Sequence, residues 1–80
     1  MFLFKVIDRF MVTGHGLILT PGLGDKKASV GDSLKIIRPD QTILETTIKG
    51  IGFNEFRDIL ISEGLTKEDI PIGSEVWLNK

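Results

Sequence analysis

An all-β fold, a small closed or nearly closed antiparallel β-barrel, is what this sequence predicts. Three observations carry the prediction. Apolar residues fall into short alternating runs, Gly and Pro signals separate the runs, and no stretch has the length or period of a long helix. The 80 residues make one domain, residues 1–80, and so short a chain is favoured to close its sheet because closure removes exposed edges.

The organising stretch is Asp8 to Gly22, two apolar runs joined by Gly14-His15-Gly16 and closed by Pro21-Gly22. Glycine takes positive φ at little steric cost, so this reads as two strands meeting at a tight turn. In the first strand the even positions Phe2, Phe4, Val6, Asp8, Phe10 and Val12 form the expected core face, and Lys5, Arg9 and Thr13 the other. Leu3, Ile7 and Met11 interrupt that alternation and suggest partial cover on the odd face. The second strand runs from Leu17 to Thr20, and Pro21, which lacks an amide hydrogen, ends it.

Leu23 to Ser29 is hydrophilic and is expected outside. Val30 to Ile37 returns through a Gly31-Asp32 turn into a strand, and Pro39 to Thr42 forms the next turn. Ile43 to Phe53 is β-branched and predicts the longest strand of the second half, with Gly50 and Gly52 as bulge or close-approach positions and Phe53 in the core. Ile59 to Ser62 reads as a short strand, Leu65 to Asp69 as one helical turn capped by Thr66, and Glu75 to Leu78 as the last strand. Val30 to Ile36 and Ile72 to Leu78 echo each other: an aliphatic residue, Gly, two polar residues, then alternation. The echo is too short for a repeat and says that two strands begin with the same kind of glycine turn.

Bulk composition excludes several classes of function. Ten Lys and Arg stand against eleven Asp and Glu, without the basic excess of a protein that binds a phosphate backbone through charge alone. The absence of Cys removes disulfides, thiolate nucleophiles and cysteine-ligated metals, and fits a reducing cytoplasm. No apolar run approaches the ~18 residues of a membrane span, and the charges at Lys5, Asp8 and Arg9 argue against a signal peptide. One His among scattered carboxylates offers no metal-ligand spacing, the Ser residues have no adjacent base, and no glycine-rich loop cradles phosphates. The expectation is a noncatalytic protein without cofactor, metal or nucleoside triphosphate.

Four separated blocks in order resemble a known family: Phe10-x-Val12-x-Gly14-His15-Gly16-x-Ile18-x-Thr20, Val30-Gly31-Asp32-x-Leu34-x-Ile36, Thr47-x-x-Gly50-Ile51, and Leu65-x-Lys67-Glu68-Asp69-Ile70-x-x-Gly73. Their order is similar to that of the second domain of elongation factor Tu, a translation-protein β-barrel. The GTPase domain that precedes this barrel in the factor and the third domain that follows it have no counterpart here, so the resemblance implies a barrel used alone. It also implies a pocket for the aminoacylated end of transfer RNA, whose lining matches here at Asp8, Phe10, Val12, Gly14 and Ile18. The chain departs from the family where an acidic residue is replaced by Ile7, an arginine by His15, and the acidic and basic residues after Ile51 by Gly52 and Glu55. A carboxylate in place of an arginine turns attraction for phosphate into repulsion. The segment from Phe53 to Ile59 is shorter than in the factor, so one rim of the pocket is expected to be rebuilt.

These readings leave two functions open. The first is a binding module that uses the Phe10 to Ile18 face for RNA or a translation component. The second is a protein–protein adaptor or inhibitor-type module that kept the barrel and lost the RNA-end pocket, with Phe56 as candidate interface among Asn54, Glu55, Arg57 and Asp58. His15 reads as an exposed turn residue or as a ligand-facing imidazole. Trp77 reads as core packing with its N–H on a carbonyl or as a stacking platform, and Asp8 as a partner for turn amides.

Overall fold

The alternating runs become strands in the computed structural model, which describes residues 1–62 and 64–79, and the first run, expected as one strand from Phe2 to Val12, divides into two. The strands are β1 (Phe2–Lys5), β2 (Asp8–Val12), β3 (Gly16–Thr20), β4 (Ser33–Ile37), β5 (Ile43–Ile51), β6 (Ile59–Ile61) and β7 (Glu75–Leu78), with a 3-10 turn at Lys67–Asp69. They form one antiparallel sheet in the order β1-β7-β4-β5-β6-β3-β2. The sheet curls around a core that includes Leu17, Leu19, Leu34, Ile36, Ile59, Ile61 and Val76, all without solvent exposure. Burying such a side chain is worth about 1.5–3 kcal/mol.

The barrel is only half made by hydrogen bonds. End strands β1 and β2 have one partner each, β7 and β3, and the sheet is a curled half-barrel rather than a closed ladder. These two strands are consecutive in the chain. At the step between them the Val6 N–H donates to the Ser74 carbonyl (2.8 Å) and the Ile7 N–H to the Thr20 carbonyl (2.9 Å). Successive amides of an extended chain point to opposite sides, so these residues carry it from one half of the sheet to the other.

That step corrects the expected core face. Phe4 and Val6 are buried, and so is Leu3, because the register shifts between Phe2 and Phe4. After Ile7 the phase reverses: Arg9 and Met11 pair with buried Leu19 and Leu17, Arg9 half-buried and Met11 still exposed toward the strand end, whereas Asp8 and Phe10 stand exposed on the other face. Arg9 lies across the end of the sheet, where its Nη2 donates to the Lys67 carbonyl (3.1 Å).

β5 makes the same kind of crossing. It pairs with β4 up to Thr47 and with β6 from Ile48, with an irregularity between Ile48 and Gly50 at the predicted bulge. The two echo motifs clamp the two crossings alike. The Gly31 N–H donates to the Ile48 carbonyl (2.8 Å) and the Ile48 N–H to the Asp32 carbonyl (3.0 Å), while the Gly73 N–H donates to the Val6 carbonyl and the Val6 N–H to the Ser74 carbonyl, both at 2.8 Å. Gly31 and Gly73 have φ of 95° and 94°, a conformation that favours glycine. The short echo therefore marks an approximate twofold in the sheet.

Three further expectations change. Leu23 is buried, so the hydrophilic Leu23–Ser29 connection anchors itself in the core by one side chain. Phe53 is fully exposed, because β5 ends at Ile51 and Gly52 turns the chain outward. Trp77 lies on the outer face, half-buried, because Val76 and Leu78 take the inner positions of β7. It packs edge-on against Phe2 with ring centroids 5.3 Å apart, and its Nε1 donates to the Glu75 carboxylate (3.0 Å) instead of a carbonyl. The predicted helical turn is present, with the Asp69 carboxylate accepting from the Thr66 N–H (2.7 Å).

Candidate functional site

The outer face of the β2, β3, β6 and β5 half is built by register. Phe10 stands opposite Ile18, Ile18 opposite Leu60, and Leu60 opposite Gly50, a single row across four strands. Inner neighbours Leu17, Leu19, Ile59 and Ile61 fill the core, so alternation sends this second apolar set outward. Gly50 contributes no side chain, and the row opens there into a groove of about 360 Å³ over Ile18 and Leu60, bounded by Val12, His15, Phe53 and Asp58. A second groove, about 270 Å³, adjoins it and is lined by Ile7, Thr20, Pro21, Asn54, Phe56 and Asp58.

The loop between Phe53 and Asp58 forms the rim of both grooves and is pinned at its base. The Leu23 N–H donates to the Arg57 carbonyl and the Gly24 N–H to the Phe56 carbonyl, each at 3.0 Å, and the Gly52 N–H donates to the Asp58 carbonyl at 2.8 Å. Gly22 is required at this junction: a Cβ there would lie 2.3 Å from the Phe56 carbonyl oxygen, and its φ is +123°. The Asn54 side chain accepts the Arg57 N–H (2.8 Å) within the loop. Held this way, the loop presents Phe53 and Phe56 to solvent, Phe56 at 59% exposure.

Cations near the site are engaged by carbonyls. The Arg57 guanidinium donates to the carbonyls of Lys26 (3.0 Å) and Gly24 (3.4 Å), and Lys49 Nζ to that of His15. Asp58 instead borders both grooves, with its Oδ1 lying over Gly52 where a Cβ would stand. Asp8 and Glu55 are exposed, and the Asp8 carboxylate accepts the Arg9 N–H (2.8 Å). The surface thus offers apolar area and carboxylates.

Of the residues singled out from the sequence, Val12, His15 and Ile18 come together in the larger groove, with Phe10 beside Ile18. Gly14 shapes the hairpin tip, in open space. Asp8 stands opposite Thr20, next to the second groove, which Phe56 lines. Sequence reasoning missed Leu60, Ile7 and Pro21 as lining residues and Asp58 as the shared border; the Gly50-x-Gly52 spacing was the available signal for an opening in the row. Among the described residues no three metal-ligating side chains gather, and no helix is long and apolar enough to cross a membrane.

No known protein family, curated protein or solved structure matches this chain. What fold and site define is a small all-β module with two adjoining apolar grooves on one outer sheet face.

Proposed function

We propose that this chain is a noncatalytic binding module, a barrel similar to the second domain of elongation factor Tu, that takes an apolar segment of a protein partner in the two grooves. The carrying observation is the pair of adjoining grooves rimmed by exposed Phe53 and Phe56, with no Lys or Arg among the described residues of either lining. Apolar area without a cation in its lining suits a protein interface better than a polyphosphate chain. On this reading the Val6–Ile7 step completes the barrel through the chain itself, and the setting is the cytoplasm, consistent with a chain lacking cysteine.

A second reading has its own support. Val12, His15 and Ile18 share one groove, and Val12 and Ile18 are positions that the resemblance assigns to a pocket for the end of transfer RNA. RNA or a translation component is then the ligand. Affinity capture of the tagged protein from a lysate of its source, with and without RNase and across a salt series, separates the readings. A defined protein retained after RNase supports the adaptor; RNA retained at low salt, removed by RNase and lost steeply as salt rises supports the second reading and overturns the first.

A further inference from the structure

Resting on the protein-binding reading of the grooves, we infer that their occupant is an extended basic-apolar segment: two apolar side chains two residues apart, with lysine or arginine beside them. The inference comes from charge and spacing. Asp58 is the residue common to both linings, so anything that fills the two grooves together passes its carboxylate. Asp8 and Glu55 add exposed carboxylates at the margins, the first on β2 beside Phe10, the second within the rim loop next to Phe56. On the cationic side, no Lys or Arg among the described residues lines either groove: Arg57 and Lys49 keep their charge at the margins, where they are directed at carbonyl oxygens, and His15 is the lining residue of basic type. At Asp58, the one carboxylate among the described lining residues, an acidic segment or a phosphate would meet like charge and a basic one complementary charge.

Spacing gives the form of the segment. Ile18 lines the first groove and Thr20 the second, two residues apart on β3, which is about 7 Å along a strand. Side chains on one face of an extended peptide repeat at the same distance. A segment lying along β3 therefore places its residues i and i+2 in the two grooves. A flanking lysine or arginine reaches Asp58 with its long side chain while its stem covers apolar surface. The carboxylate is only partly buried, so it contributes to choice of partner more than to affinity.

The test uses the intact chain and three probes: a capped peptide with the core Arg-Leu-Ser-Leu-Arg, its twin Glu-Leu-Ser-Leu-Glu, and a short single-stranded oligouridine. The basic peptide is expected to bind at millimolar concentration or below, about tenfold more tightly than the acidic twin, with the difference shrinking as salt rises. Asp58→Asn is expected to weaken the basic peptide about three- to fivefold and leave the thermal midpoint in place; the salt series on the unaltered protein serves the same purpose should the variant fold poorly. Equal binding of the two peptides, or no binding of the basic one, overturns the inference. Equal binding that Phe56→Ala weakens for both leaves the apolar-groove reading standing without its basic partner. Tight oligouridine binding that displaces the peptides overturns both.

Discussion

Across β4 and β7 the outward row runs Glu45, Lys35, Trp77 and Phe2, and a second pairing sets Lys5 opposite Glu75. Across β3 and β6 it runs Phe10, Ile18, Leu60 and Gly50. The two halves share a plan inside: a long strand path crosses between them at Val6 and again at Ile48, each crossing clamped by a glycine turn, and inward aliphatic side chains alternate along every central strand. They differ outside, one face carrying opposite charges across strands, the other carrying apolar residues that end in grooves. The core specifies the sheet in both halves and so says nothing of function; what the outward positions carry beyond solubility distinguishes them.

The comparison predicts that inner and outer neighbours on one strand respond oppositely to truncation. Leu19→Ala and Ile36→Ala, one from each half, should each cost about 2–5 kcal/mol in urea unfolding. Ile18→Ala, next to Leu19 and facing the groove, should cost under about 1 kcal/mol while weakening peptide binding. Equal losses for Ile18 and Leu19 would break the assignment of faces.

Gly22→Val places a side chain against the Phe56 and Arg57 backbone at positive φ and should cost about 2–3 kcal/mol. Hydrogen exchange should quicken at the Leu23 and Gly24 amides, which donate to the rim loop. A smaller effect separates the two faces by function. Phe56→Ala should change stability by less than about 0.5 kcal/mol and weaken the basic peptide about tenfold, whereas Trp77→Ala, on the charged face, should cost about 1 kcal/mol through its contact with Phe2 and leave peptide binding alone.

The smallest expected effect lies in the β4–β5 turn. The Asp40 carboxyl is held below the ordinary aspartate range, first by the Thr42 hydroxyl (2.6 Å), then by the Thr42 N–H (3.0 Å) and the Arg38 charge. A carboxyl lowered in the folded state stabilises it above the unfolded aspartate value of about 3.9 and loses that contribution as pH falls through the folded value. Asp40→Asn should therefore lower the thermal midpoint slightly at neutral pH, and the difference from the unaltered protein should vanish in stronger acid.

Strand positions were legible because Gly and Pro mark the breaks: Pro21 ends β3, Gly31 and Gly73 precede β4 and β7, and Gly50 sits at the bulge. The faces of the first strand were not. Phe10 and Val12 are more apolar than Arg9 and Met11, so hydropathy assigns the even side to the core throughout, yet the change of partner at Val6–Ile7 reverses the phase for β2. A partner change depends on strands distant in sequence and leaves no local mark. The same reversal brings Phe10 outward with Val12 and Ile18, so the residues singled out from the sequence share a surface that hydropathy assigned to the wrong side. Leu60 and Asp58 depend on the β3–β6 pairing and the docking of the Gly22 junction on the rim loop, both long-range.

The most direct test of the account is an amide NMR titration of the intact chain with the basic peptide. The prediction is shift changes concentrated in Val12 to Ile18, Phe53 to Leu60 and around Thr20, with the amides of Lys35, Glu45 and Trp77 unmoved. Changes centred on the Phe2, Trp77 and Lys35 face instead, with the groove residues silent, would contradict it.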